Sequence, residues 1–311
     1  MIQKPMDILT LFPVRKSKRQ KRAFREAVQK YFEDLGYPCA VENGSFGSRN
    51  IIAGDPEKAR YLITAHYDTC AHLPFPNLIT PCNFWLFLLY QLFVTALIFG
   101  AAVVIGVIAG LVLQDPGTAG ATAYIALWVF LILIMVGPAN RHNANDNTSG
   151  VVTVLETARA LQPEKREDVC FVLFDLEEAG LIGSASYRSS HKKQIDAQVL
   201  LNLDCVGEGD NIVLFPAKKL RADTGRMKWL RSCCRSSGKK TVSVRGKGFS
   251  YYPSDQANFP LGVGIAAFRT SKWAGLYLGK IHTNRDTILE EENIHILCRC
   301  MTDLVGSDTV Q

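Results

Sequence analysis

Short apolar runs that end in charged or polar residues recur along this chain, and one much longer apolar stretch interrupts them. Tyr61-Leu-Ile-Thr-Ala65, Val169-Cys-Phe-Val-Leu-Phe174 and Gln198-Val-Leu-Leu-Asn-Leu203 lack polar alternation, the pattern of strands buried on both faces. Ile265-Ala-Ala-Phe268 and Leu276-Tyr-Leu278 add two more short runs. Helical spacing predicts a helix from about 19 to 35, carried by Phe24, Val28, Tyr31, Phe32 and Leu35 and closed by Gly36. A second begins near 147–150 and carries Val151, Val154, Leu155, Ala158 and Leu161. Gly180 to about Lys192 and Glu290 to about Leu304 read as two further helices. Alternating strands and helices predict an α/β fold, a mostly parallel mixed sheet with helices on both faces.

The long stretch runs from Phe84 to Val136 with Asp115 as its only charge. Its first part, at about 1.5 Å per helical residue, reaches past a hydrocarbon core of ~30 Å. Gln114-Asp-Pro-Gly-Thr118 is a turn signal. A second apolar run, from about Ala119 to Val136, is close to the minimum spanning length. Trp85 and Tyr90 near one end, and Trp128 inside the second run, suit interfacial or buried aromatic positions. The pattern predicts a transmembrane helical hairpin over 83–137 that contacts the bilayer through 84–136. It separates a first part of the catalytic domain, 1–82, from the remainder, 138–311, and returns the chain to its starting side.

Composition refines this picture in three places. The hydrophobic fraction of 48% is ordinary, but it is concentrated in the hairpin. Net charge is +6, set partly by Arg15, Lys16, Lys18, Arg19, Lys21, Arg22 and Arg25, a run that reads as a solvated helix face or as an attraction to anionic lipid headgroups. Nucleic acid is excluded as a partner because no base-reading module accompanies the charge. The connecting turn carries no Lys or Arg, whereas the basic run and Arg141 flank the hairpin, so the catalytic domain is expected to face the cytoplasm in a two-span, multi-pass membrane protein. Nine scattered cysteines, an odd count, agree with a reducing compartment; Cys233-Cys234 and Cys298-Arg-Cys300 lack the spacing of a structural zinc site. No basic segment feeding an apolar core is seen at the start, so no signal peptide is expected.

Five metal-grade side chains, His66, Asp146, Glu178, Asp204 and His282, lie at strand ends or in loops just beyond them. Ligands of such sheets bind at the carboxyl ends of the strands. A two-metal hydrolytic site needs one nitrogen and one terminal carboxylate per metal, a bridging carboxylate and a free base. The chain supplies all of these, with Glu177 as the spare acid beside Glu178. Asp68, two residues after His66 in an extended segment, is placed to accept the second imidazole N–H. Singly these are weak signals, since an acidic pair at a helix start, a helix cap or a turn residue explains each one. The combination is far more specific.

Ala65-His-Tyr-Asp-Thr69, Asn145-Asp-Asn-Thr-Ser-Gly150, Phe174-Asp-Leu-Glu-Glu-Ala-Gly-Leu-Ile-Gly-Ser184, Asn202-Leu-Asp204 and Ile281-His-Thr-Asn-Arg-Asp-Thr287 resemble the motifs of the co-catalytic zinc aminopeptidases, metallopeptidase family twenty-eight. The resemblance covers roughly 20–80 and 138–308. It implies a zinc exopeptidase fold and two Zn2+ ions, one held by His66, Asp204 and the bridging Asp146, the other by His282, Glu178 and the same Asp146. It also implies Glu177 as general base and Asp68 as the group that orients His66. Tyr251-Tyr-Pro-Ser-Asp255 resembles the segment whose tyrosine hydroxyl assists the tetrahedral intermediate, which implies Tyr251, or its neighbour Tyr252, although Gln256 replaces a His common there. His66 and Asp146 stand much further apart than in relatives, with the hairpin between them. The function implied is a membrane-anchored aminopeptidase acting on peptides. An amidohydrolase or glutaminyl-cyclase-like enzyme and a catalytically silent adaptor are the alternatives on the same scaffold.

Overall fold

A computed structural model of the chain describes residues 2–307 except 247 and 249. Strands β1 (Cys39–Asn43), β2 (Arg49–Ala53), β3 (Tyr61–His66), β4 (Val169–Phe174), β5 (Val199–Leu203), β6 (Asn211–Pro216), β7 (Thr241–Val244), β8 (Gly262–Ser271) and β9 (Gly275–Tyr277) join in one sheet. Their order is β1-β2-β4-β3-β5-β8-β6-β7, with β9 on β8. Parallel pairing links β4, β3, β5 and β8 in the centre and β6 to β7 at one edge. The other pairs are antiparallel, so the expected parallel character is confined largely to the centre of a mixed sheet. β3 precedes the long apolar insertion and pairs with β4 and β5, which follow it.

The central strands are apolar throughout because both faces are covered. Tyr61, Ile63 and Ala65 of β3, with Val169, Phe171 and Leu173 of β4, belong to one buried cluster; Leu62, Cys170, Val172 and Phe174 belong to a second. That division is the two-residue side-chain period of a strand. Helices α1 (Lys18–Asp34), α4 (Gly150–Ala160), α6 (Thr224–Ser232) and α7 (Glu291–Gly306) supply the first cluster, and α5 (Ile182–Ser190) supplies the second through Tyr187. α1 starts where Ser17 accepts from the Gln20 N–H and the Gln20 side chain accepts from the Ser17 N–H. It buries Phe24, Val28, Tyr31 and Phe32, the predicted stripe. A Cys233–Cys300 disulfide ties the end of α6 to α7, a pairing across 67 residues that the sequence spacing does not disclose.

The basic run does not form a uniformly solvated face. Arg15, Lys21 and Arg25 are buried, Lys16 is half-buried, and Lys18, Arg19 and Arg22 are exposed. Lys21 pairs with Asp175 at 2.7 Å, and Arg25 donates to the Tyr67 hydroxyl. Arg15 donates to the carbonyls of Tyr67 and Phe12 and to the Thr148 hydroxyl. These three cations carry buried partners, which sequence spacing alone cannot distinguish from water.

The insertion forms two antiparallel helices, α2 (Phe84–Leu113) and α3 (Pro116–Val136). Gln114 turns the chain in a left-handed conformation, and Asp115 accepts from the N–H groups of Gly117 and Thr118 to start α3. Both helices are long and apolar enough to cross a membrane, and only 11% and 0% of their most hydrophobic windows is buried. They are therefore not core helices. Where they touch, small residues meet: a Cβ on Gly106 would lie 2.7 Å from that of Ala123, and one on Gly110 would lie 2.8 Å from that of Ala119. Close backbone approach at small residues is how helices associate in lipid. Lys16 donates to the Met135 carbonyl at the end of α3, where a cation opposes the helix dipole favourably.

Candidate metal centre

β4, β3 and β5 are neighbours and parallel, so their C-terminal ends lie side by side. His66 is the last residue of β3, Glu177 and Glu178 follow β4, and Asp204 follows β5. Asp146 comes from the segment leading into α4 and His282 from the loop beyond β9. All five expected ligands converge. Asp146 Oδ1 lies 3.2 Å from His66 Nε2, and its Oδ2 lies 3.0 Å from His282 Nε2, so one carboxylate faces both imidazoles. His66 Nε2 is 3.6 Å from Asp204 Oδ1, and His282 Nε2 is 3.4 Å from Glu178 Oε2. Glu177 stands further off, with Oε2 4.0 Å from His66 Nε2. This places the sequence-predicted base and ligand of the Glu177-Glu178 pair on different partners.

Main-chain acceptors and donors hold the arrangement. The Asp68 carbonyl oxygen lies 3.2 Å from His66 Nδ1; a carbonyl only accepts, so Nδ1 carries the proton and Nε2 is free to bind a metal. The Asp68 carboxylate, expected to do this, stands 3.6 Å from the same nitrogen and also accepts the N–H groups of Glu177 and Glu178 at 3.1 and 3.3 Å. Asp68 thereby fixes both acids at once. Asp286 plays the same part for Asp146, accepting the N–H groups of Asn145 and Asp146 at 2.8 and 3.0 Å. Asn147 donates to the Leu203 carbonyl and accepts from the Cys205 N–H, joining the Asp146 segment to the Asp204 turn. Leu176, Cys205 and His282 are non-glycine residues with φ of 57°, 56° and 61°, a left-handed conformation that costs on the order of 1–3 kcal/mol. His282 is an expected ligand, Cys205 follows the expected ligand Asp204, and Leu176 precedes Glu177.

The ends of the insertion are tied to this site. Ala71 bridges Ala139, the Asn140 N–H donates to Cys70, and the Leu73 N–H donates to the His282 carbonyl at 2.8 Å. Ile79 and Leu278 exchange main-chain hydrogen bonds. Tyr251 does not join the cluster: its ring packs 5.7 Å from that of Phe87 at the base of α2, it is half exposed, and its hydroxyl makes no hydrogen bond among the described residues. Tyr252 is buried and donates from its hydroxyl to the Asp204 carbonyl at 3.1 Å. The exposed ring follows from the hairpin, which offers Tyr251 an apolar neighbour on the outside.

Charge at the site calls for cations. Asp146, Glu177, Glu178 and Asp204 face two imidazoles, and Glu178 Oε1 and Asp204 Oδ1 are buried without a hydrogen-bond partner. Buried oxygen atoms of this kind are paired or bind metal. An imidazole and carboxylate donor set is the one zinc accepts. Burial raises the Glu177 carboxyl well above its ordinary range; His66 opposes the shift, and Glu178, Asp255 and Asp204 add to it. Burial raises Glu178 to about 8, against the attraction of His282. Burial opposes the charge on His282, but Glu178 and Asp146 outweigh it and lift the imidazole to about 9. Without metal, the His282–Glu178 pair therefore holds protons at neutral pH that a metal must displace. Zinc binding to metal-free protein is expected to release protons and to tighten as the pH rises towards about 9, the value for His282. Calorimetric titration in buffers of different ionisation enthalpy checks this; an affinity that is flat with pH contradicts it.

The profile of Peptidase family M28 matches residues 133–297, just over half of the chain. A 68-residue stretch is 44% identical to aminopeptidase YwaD of Bacillus subtilis (strain 168), covering 21% of this chain and 15% of that protein. The chain thus spans only a small part of that relative's length. The crystal structure of the Legionella pneumophila LapA aminopeptidase superposes with a TM-score of 0.61 at 14% identity, covering 99% of this chain and 72% of that one. The Porphyromonas gingivalis glutaminyl cyclase superposes with a TM-score of 0.53 at 15% identity, covering 95% and 92%. Both share the fold.

Proposed function

Because the chain belongs to Peptidase family M28, we propose that it is a membrane-anchored, di-zinc aminopeptidase that removes N-terminal residues from peptides. The observation that carries the reading is Asp146, whose two carboxylate oxygens each face a different histidine. His66, Asp204 and Asp146 would hold one zinc, and His282, Glu178 and Asp146 would hold the other. Two bound zinc ions supply Lewis acidity and lower the pKa of water at the site. The chain's residues do the rest. Glu177 takes a proton from the attacking water and returns it to the leaving amine. Asp68 holds Glu177 and Glu178 in register through their N–H groups. Asp286 and Asn145 keep the Asp146 segment against the sheet.

The hairpin of α2 and α3 crosses the bilayer and leaves residues 1–82 and 138–311 as one catalytic domain on the cytoplasmic side. The charge asymmetry supports this orientation. The Cys233–Cys300 disulfide pulls the other way, since such bonds persist mainly in oxidising compartments. Cysteine labelling decides between them. A membrane-impermeant maleimide added from outside is expected to label Gly117→Cys and to miss Arg141→Cys; the reverse overturns the orientation. Activity is tested with a panel of free and N-blocked aminoacyl substrates and N-terminal glutaminyl peptides. Hydrolysis of the free forms alone is expected. Cyclisation of the glutaminyl peptides without hydrolysis would instead identify a cyclase on this fold.

A further inference from the structure

Cys70, four residues after His66, is buried, yet it belongs to none of the apolar clusters among the described residues. Cys170 does belong to such a cluster, as expected for a free thiol that behaves as a small hydrophobe. The surroundings of Cys70 are polar and ligating. Its sulfur, a Glu178 carboxylate oxygen and a His282 ring nitrogen all lie within 4.8 Å of one another. Donors of one tetrahedral zinc, each about 2.0–2.3 Å from the ion, stand closer to each other than that limit. The Glu178 side chain is nine-tenths buried, and its Oε1 has no hydrogen-bond partner. The Cys70 carbonyl is pinned by the Asn140 N–H at 3.1 Å, so the sulfur sits on a fixed stretch of backbone.

Building on the metal-centre reading, we propose that Cys70 is a thiolate ligand of the metal held by His282 and Glu178. With Asp146, that metal would have four protein donors. Glu177 stands on the other side of the centre, 4.0 Å from His66 Nε2. Binding exchanges the thiol proton for the metal, the proton passes to the buffer, and no oxidation is involved.

Cobalt(II) titrated into the metal-depleted full-length protein in detergent tests this directly. Visible d–d bands report bound cobalt, and an intense near-ultraviolet thiolate-to-cobalt band reports sulfur ligation. Both are expected in the unaltered chain. Cys70→Ser is expected to lose the near-ultraviolet band and keep the visible ones, while Cys170→Ser keeps both. Zinc-edge X-ray absorption of the unaltered protein, expected to show a sulfur neighbour at about 2.3 Å, needs no variant to fold. Cobalt bound without the charge-transfer band, or a band that survives Cys70→Ser, overturns the proposal and leaves the aminopeptidase reading standing. A chain that takes up no cobalt overturns both.

Discussion

Glu177→Gln is expected to lower turnover by about 10²–10⁴-fold, the range for removing a positioned general base, while zinc content stays unchanged. The amide keeps the size and packing of the side chain but cannot carry a proton from water to amine. Its main-chain N–H still reaches Asp68 Oδ1, so the neighbouring Glu178 keeps its place. Glu178 lies 3.4 Å from His282 Nε2, whereas Glu177 lies 4.0 Å from the nearer His66 nitrogen, which separates ligand from base. Steady-state kinetics beside a zinc count check this. A fall of less than tenfold, or a parallel loss of zinc, contradicts the role given to Glu177.

Asp146→Ala is expected to cost more, because it removes the one side chain that faces both histidines. Burial works against the charge on Asp146, but the two imidazoles of His282 and His66 beside it outweigh that cost and hold the carboxyl below its ordinary range. Without that anion, the remaining donors form two separated pairs, His66 with Asp204 and His282 with Glu178. Zinc per chain is expected to fall to one or fewer after gel filtration, with turnover below that of Glu177→Gln. The Asp286 contacts run to main-chain N–H groups, so they survive the substitution and the segment keeps its course. Elemental analysis and near-ultraviolet circular dichroism together separate metal loss from unfolding. Retention of two zinc ions contradicts the bridging assignment.

The convergence of these side chains was partly legible in the sequence because His66, Glu178 and Asp204 end or follow apolar strands. β3, β4 and β5 are buried on both faces, so each announces itself as an apolar run, and the residue that breaks the run sits at the carboxyl edge of the sheet. The hairpin was legible for a similar reason: its composition has no use in water. What stayed hidden acts through space. Asp286 and Asn147 serve by binding main-chain groups from distant segments, and no spacing signals that role. Arg15, Lys21 and Arg25 look like their exposed neighbours until Asp175, Tyr67 and Thr148 are seen beside them. β1 and β2 mix polar residues into short edge strands, and β6 carries an apolar run too brief to separate from a helix. The ring contact between Tyr251 and Phe87 at the base of α2 was not legible either, because it joins the hairpin to a segment far along the chain.

The most direct measurement is the number of zinc ions per chain in the full-length protein, purified in detergent and analysed by inductively coupled plasma mass spectrometry. Two per chain, lost together with activity on chelation and restored together by added zinc, is the expected result. Fewer than one, or hydrolysis that persists undiminished in the metal-free protein, would contradict a catalytic centre built around Asp146.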